Sequence, residues 1–391
     1  RDLHSFPTRR SSDLEPAAIT WKFVEWPVRH SSLGRMRPLR AIAYMTLPLI
    51  ALAAAGNAIR SGAGFPWRLP DKIAVTYSIG RQRPVLKKLC HGVEKALIND
   101  DRCNFGAEIR DGSFDMVIWG DSHADHFVPA FTKIAHKWGW SGRQISGSSC
   151  IPLWGISGWK KGKILRHCEH FDRIMDEFLH RNPKLKLVVL ASRWAGFATR
   201  LEDEAPDKDE LFLIDGANKE INYQNTRKVM AEHLKETVAR LGARGLKVVI
   251  IGQVPASSQD PLNCIARELE RAGNSDNCRL PKAESLDYLR FTNQLISAVG
   301  NASDPARVRP VLMTDYLCDD LWCRIELGGK PLYADVDHLN NVGSQQLSGY
   351  LFDQLDDFVR SPPPQKATLN GGPGLDPADD GLAPNRLIIA K

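Results

Sequence analysis

Two short stretches, Gly120-Asp121-Ser122-His123 and, far downstream, Asp335-Val336-Asp337-His338, hold the side-chain types that acyl transfer needs. A serine hydroxyl is a weak nucleophile until a base takes its proton, so Ser122 calls for a histidine held by a carboxylate. In the Asp335-x-x-His338 spacing, carboxylate and imidazole project from one turn. Asp335 can then accept from one ring nitrogen of His338 while the other faces Ser122. Asp337 is an alternative orienter, although its adjacency to His338 gives poorer geometry. Each motif also has a plain structural reading as a turn with a capped helix, since Asp and Ser both cap helices. A serine after the first strand together with D-x-x-H before the last helix points to chemistry.

The elements that must position these residues follow from apolar patterning. Strand candidates are Asp115–Trp119, Arg143–Ser146, Leu185–Ala191, Leu246–Ile251 and Val308–Met313, each short and mostly apolar, as buried parallel strands are. Helical faces lie between them. One is formed by Val229, Met230, Leu234, Val238 and Leu241, another by Leu347, Leu351, Leu355 and Phe358. The alternation predicts βαβ units in a three-layer α/β/α sandwich with a mainly parallel sheet. Ser122 would sit at a strand's C-terminal end, where open α/β sheets bind ligands, with Gly120 permitting the sharp turn. The helix that starts there offers N–H groups to a developing oxyanion.

The chain has 391 residues, 43% of them hydrophobic, enough for one sizeable domain plus appendages. Of its formal charge of +6, residues 1–40 supply four, with eight Lys/Arg against four Asp/Glu. The rest is near neutral, which excludes a nucleic-acid-binding stripe. Residues 4–14 match the translation of a sequencing adapter, so 1–14 are expected to be an artefact and the native chain to be longer. Residues 41–59 carry no charge and follow Arg35, Arg37 and Arg40, which predicts one transmembrane helix with everything beyond about residue 60 outside. A signal peptide starting at Met36 is the rival reading, and it exports the same residues. All eight cysteines lie beyond this segment, as four close pairs: Cys90 with Cys103, Cys150 with Cys168, Cys264 with Cys278, Cys318 with Cys323. Nearest-neighbour disulfides are expected, in an oxidising compartment. A structural zinc site would need C-x-x-C spacing that is absent. Residues 60–84 read as a linker and 361–391, rich in proline and glycine, as a disordered tail.

Trp119-Gly-Asp-Ser-His123, Ser148-Ser-Cys150-Ile-Pro152-Leu, Val188-Val-Leu-Ala-Ser-Arg-Trp194, Leu317-Cys-Asp and Asp335-Val-Asp-His338-Leu resemble the SGNH (GDSL-like) hydrolases, in particular the extracytoplasmic domain fused behind acyltransferase-3 membrane domains. The resemblance spans about 85–360. Residues 15–40, with Trp21-Lys-Phe-Val-Glu25-Trp-Pro27-Val-Arg29, are similar to the end of such a membrane domain. It implies a flavodoxin-like sandwich in which Ser122 carries the acyl group, His338 is the base and Asp335 orients it. The implied oxyanion hole uses the N–H groups of Ser122 and Gly147. A Gly-x-Asn-Asp asparagine usual in the family is replaced by Ala191-Ser-Arg193-Trp194, so that either Arg193 or Ser192 substitutes or the hole has two donors. The implied activity is transfer of an acyl group, taken as acetyl, from a donor to a cell-surface glycan hydroxyl on the periplasmic side of an inner membrane. The membrane acyltransferase domain would be a partner in the same native chain. An acetyl esterase and a silent glycan-binding module are the alternatives. No cofactor and no metal are expected: Asp121, His123, Asp125 and His126 should point in different directions along a helix. Trp138, Trp140, Trp154 and Trp159 are read as core or rim residues before a sugar platform.

Overall fold

The computed structural model describes residues 21–26, 38–62, 64–84, 90–92, 101–110, 112–168, 170–199 and 210–362. The adapter-like segment 1–14, residues 15–20 and 27–37 of the expected membrane-domain remnant, and the tail from residue 363 lie outside the described residues. Packing divides the chain into Arg1–Ala74 and Val75–Lys391.

In the first unit, helix α1 (Pro38–Ser61) covers the uncharged segment and contains Pro48. Its Leu47, Leu49, Ile50, Leu52 and Ile59 are exposed. Among the described residues no helix is long and apolar enough to cross a membrane. The expected span is therefore helical, without meeting the length and hydropathy of a span over its described residues. Helix α2 (Asp71–Gly80) carries the chain into the second unit.

That unit contains, in chain order, β1 (Asn104–Gly106), β2 (Met116–Gly120), α3 (Ser122–Trp138), β3 (Ser141–Ser146), β4 (Ser157–Lys160), β5 (Lys163–Ile164), α4 (Phe171–Arg181), β6 (Leu187–Ala191), α5 (Trp194–Ala198), β7 (Leu211–Ile214), α6 (Tyr223–Ala243), β8 (Lys247–Ile251), α7 (Pro261–Ala272), α8 (Lys282–Ala302), β9 (Val308–Val311), α9 (Asn341–Gln346) and α10 (Ser348–Arg360). The main sheet runs β1-β3-β2-β6-β8-β9. All five predicted strands are in it, and all pair in parallel. Antiparallel β1 at the edge was not foreseen, because Asn-Phe-Gly offers no apolar run. The small sheet β5-β4-β7 is a second addition, built from equally short strands.

Side chains alternate across a strand, so each central strand feeds two cores. Val117, Trp119, Val188, Leu190, Val248 and Ile250 face the layer that holds the predicted α6 stripe of Val229, Met230, Leu234, Val238 and Leu241. Met116, Ile118, Leu187, Val189, Val249 and Ile251 face α3 and α10, through Phe127, Phe131, Leu351, Leu355 and Phe358. Helices on both faces of a mainly parallel sheet make the α/β sandwich that the patterning predicts. The four disulfides join nearest neighbours: Cys90–Cys103, Cys150–Cys168, Cys264–Cys278 and Cys318–Cys323.

Candidate active site

All five residues of β2 are buried, and the strand delivers the nucleophile by packing. Gly120 is needed for space: a Cβ there would lie 1.7 Å from the Ala191 carbonyl oxygen of β6. That replaces the expected reason, a sharp turn, with the close approach of two backbones. Asp121 caps α3, its Oδ1 accepting the His123 N–H at 2.8 Å. Its Oδ2 accepts the Ser192 hydroxyl at 2.7 Å and the Arg193 N–H at 2.9 Å. One buried carboxylate thereby fastens the end of β2, the start of α3 and the end of β6. Ser122 is the first residue of α3, a position whose N–H has no partner within the helix.

The base comes from a closed loop. Tyr333 bridges Leu339, and the Ala334 N–H donates to the His338 carbonyl at 2.8 Å. Inside it, Asp335 Oδ1 accepts the backbone N–H groups of Asp337 and His338 at 3.1 and 2.8 Å. The same carboxylate meets His338 Nδ1 at 3.0 and 3.1 Å. His338 Nε2 lies 2.8 Å from Ser122 Oγ, although 216 positions separate the two in sequence. The fold thus brings Ser122, His338 and Asp335 together.

Further contacts around the triad go beyond the sequence reading. Asp337 Oδ1 is 2.8 Å from His338 Nδ1, so both carboxylates reach one ring nitrogen despite the adjacency that ranked Asp337 second. Its Oδ2 is 2.6 Å from Arg193 Nε and 3.7 Å from His123 Nε2. Arg83, which no motif singled out, pairs with Asp335 Oδ2 at 2.6 Å. His123 and His126 do not point apart as expected: their rings are 4.9 Å apart, and the His123 ring is 4.6 Å from that of His338. Residues three apart share a helix face, and that spacing was the available signal. Asp125 does turn elsewhere, to Gln144 and His91.

The electrostatics follow from this crowding. Burial works against a charged His338, but Asp335 and Asp337 outweigh it and push the imidazole up to about 9. Burial would raise Asp335, yet His338 and Arg83 hold it well below the usual carboxylate range. Asp337 is held down in the same direction by His123, His338 and Arg193, again against burial. His123 moves the other way, because burial and the neighbouring His338 charge both disfavour its protonation.

Two of the three expected oxyanion donors are engaged. The Gly147 N–H donates to the Gly120 carbonyl at 3.1 Å, closing the β2–β3 ladder. Arg193 gives its backbone N–H to Asp121, and its Nε forms an ion pair with Asp337 Oδ2 at 2.6 Å. Both therefore act as ties between strand ends here, and the Ser122 N–H is the donor left at the helix start. For a cation, His123, Asp337 and His338 offer ligand atoms within 4.8 Å of one another. Both ring nitrogens of His338 are nonetheless committed to Ser122 and Asp335, and Asp337 to Arg193. The second such group, Cys150, His167 and Cys168, has its sulfurs in a disulfide. The tryptophans are scattered: Trp154 packs on Trp119 in the core, Trp138 on Trp140 at the end of α3 away from Ser122, and Trp159 on Phe212.

A family model described as an SGNH domain, fused to AT3 domains, matches residues 89–351. No curated protein matches the chain. Among solved structures, it is similar to the periplasmic domain of a lipopolysaccharide acetyltransferase from Salmonella ser. Paratyphi A, at 16% identity, over 75% of this chain and 98% of that one, with a TM-score of 0.47. It is also similar to a candidate acylhydrolase from Bacteroides fragilis NCTC 9343, at 10% identity, over 65% and 91% of the two chains, with a TM-score of 0.34. A candidate SGNH hydrolase from Slackia heliotrinireducens follows at 13% identity, 62% and 98% coverage and a TM-score of 0.30.

Proposed function

The chain belongs to the family of SGNH domains fused to AT3 domains, and on that premise we propose that it transfers an acyl group, taken as acetyl, through Ser122 to a glycan hydroxyl. The observation that carries this reading is the continuous contact Ser122 Oγ, His338 Nε2, His338 Nδ1, Asp335 at 2.8 and 3.0 Å. In the first half-reaction His338 Nε2 takes the Ser122 proton as Oγ bonds to the acyl carbonyl carbon. The tetrahedral oxyanion faces the Ser122 N–H at the positive end of α3. Gly147 serves as a second donor on release from Gly120, and Arg193, which lies against Asp337, as the third. Collapse breaks the bond to the donor's leaving group, which receives the proton from His338. In the second half-reaction His338 deprotonates the acceptor hydroxyl, which attacks acyl-Ser122 and restores the serine. Asp335 stabilises the imidazolium formed in each half.

The setting belongs to the same reading. The family's fusion to AT3 domains supports a membrane acyltransferase partner domain in the native chain. Four disulfides support an oxidising, periplasmic location. The apolar residues 41–59 are proposed as the membrane tether. Incubation with an activated acetyl ester, followed by mass spectrometry, should place acetyl on Ser122 in the wild type and not in Ser122→Ala. Adding a polysaccharide acceptor then separates the outcomes. Acetylated glycan supports the transferase, free acetate alone supports an esterase, and neither, with no acyl-serine, would leave a binding module.

A further inference from the structure

Arg83 lies before the family-matched segment, which begins at residue 89, in a stretch whose sequence reads as linker. Yet residues 77–83 are fastened to the site's rim at several points. The Tyr77 hydroxyl donates to Asn263 at 3.0 Å, and Arg81 pairs with Asp260, the cap of α7, at 3.3 Å. The end of α2 is packed so closely that a Cβ on Gly80 would lie 2.1 Å from Leu262. The Gln82 carbonyl accepts the N–H of Asn341, three positions after His338, at 2.7 Å. Arg83 Nη2 then reaches Asp335 Oδ2 at 2.6 Å.

We propose that Arg83 is a positioning residue of the acyl-transfer site, locking Asp335 in the orientation in which it aligns His338, so that the segment preceding the domain completes the active site. The inference rests on the triad reading above. Its physical basis is the division of labour at the carboxylate. Oδ1 is held by the N–H groups of Asp337 and His338, and Oδ2 by Arg83, so the group cannot rotate away from the ring. Both partners are about one-third exposed, at 33% and 30%, so the pair adds little to stability. Its effect is directional. The charged and titratable groups around Asp335 and His338 are Arg83, Asp337, His123 and His126, with Arg193 and His123 acting through Asp337. Among them Arg83 is the cation that counters Asp335 from outside the loop. Without it the carboxylate's charge is spent more fully on His338, favouring the imidazolium and delaying release of the free base to higher pH.

The test is the rate of Ser122 acetylation by an activated acetyl ester, measured against pH on the full chain. Wild type, Arg83→Gln, Arg83→Lys, Asp335→Asn and Ser122→Ala are compared. Arg83→Gln is expected to lose about tenfold near neutrality, a fraction of what general-base catalysis supplies. Its acid limb should move to higher pH, and Arg83→Lys should restore most of both. An unmoved limb, or a uniform loss without rescue by lysine, overturns the proposal. If wild type and Ser122→Ala behave alike, the triad reading fails and this inference with it. If Ser122 and Asp335 matter and Arg83 does not, this inference fails alone.

Discussion

The two halves of the candidate site are held by different physics. Ser122 stands on a fully buried strand and a capped helix, where moving the backbone means breaking two cores and the three bonds of Asp121. His338 stands in a loop whose ends, Tyr333 and Leu339, are buried in the core, but the orientation of its ring depends on polar contacts: Asp335 and Asp337 on one ring nitrogen, with Arg83 and Arg193 behind them. Close packing resists small displacements, whereas charged pairs respond to pH and salt. The nucleophile is thus fixed, and its base is adjustable.

The sharpest way to break this comparison is to substitute the two carboxylates separately. Asp335→Asn should cost about 10⁴-fold in acylation rate, as losing a triad carboxylate does. Asp337→Asn should cost about tenfold, because Asp335 still aligns the ring. A reversed order, read from the same acylation assay, would make Asp337 the orienter.

On the packed side, Gly120→Ala forces a methyl group against the Ala191 carbonyl and should destabilise the domain by about 3 kcal/mol, seen as a lowered Tm. A stable variant with normal activity would show that the strand end is softer than its packing implies.

The pH response is the smallest effect and belongs to the adjustable half. With His338 pushed up to about 9, the base is mostly protonated at neutrality, so acylation should rise with pH until about 9. The same shift bears on stability. A histidine raised above its unfolded value stabilises the fold fully below the unfolded pKa, and that contribution is lost as pH rises through about 9. Thermal denaturation of wild type against His338→Gln should therefore show a stability gap that narrows over this range.

Much of the fold was legible because its determinants are local. Five apolar runs became the five parallel strands, and the stripes on α6 and α10 became core faces. The cysteines paired as near neighbours, over separations of 5 to 18 residues. Strands such as β1 and β7 were not legible, since three or four residues give no period to read.

For the site, sequence by itself determined the pieces. A strand, a capping aspartate and a serine follow one another at 116–122, and the D-x-x-H turn sets Asp335 beside His338, because each depends on bonds within a few residues. Tertiary structure alone decided how the pieces are tuned. It placed Arg83 on a carboxylate 252 positions away, brought Asp337 between Arg193 and His338, and tied the Gly147 N–H into the sheet. Long-range charge pairs of this kind leave no periodic trace in a chain, since any exposed arginine reads alike until the backbone brings it to its partner.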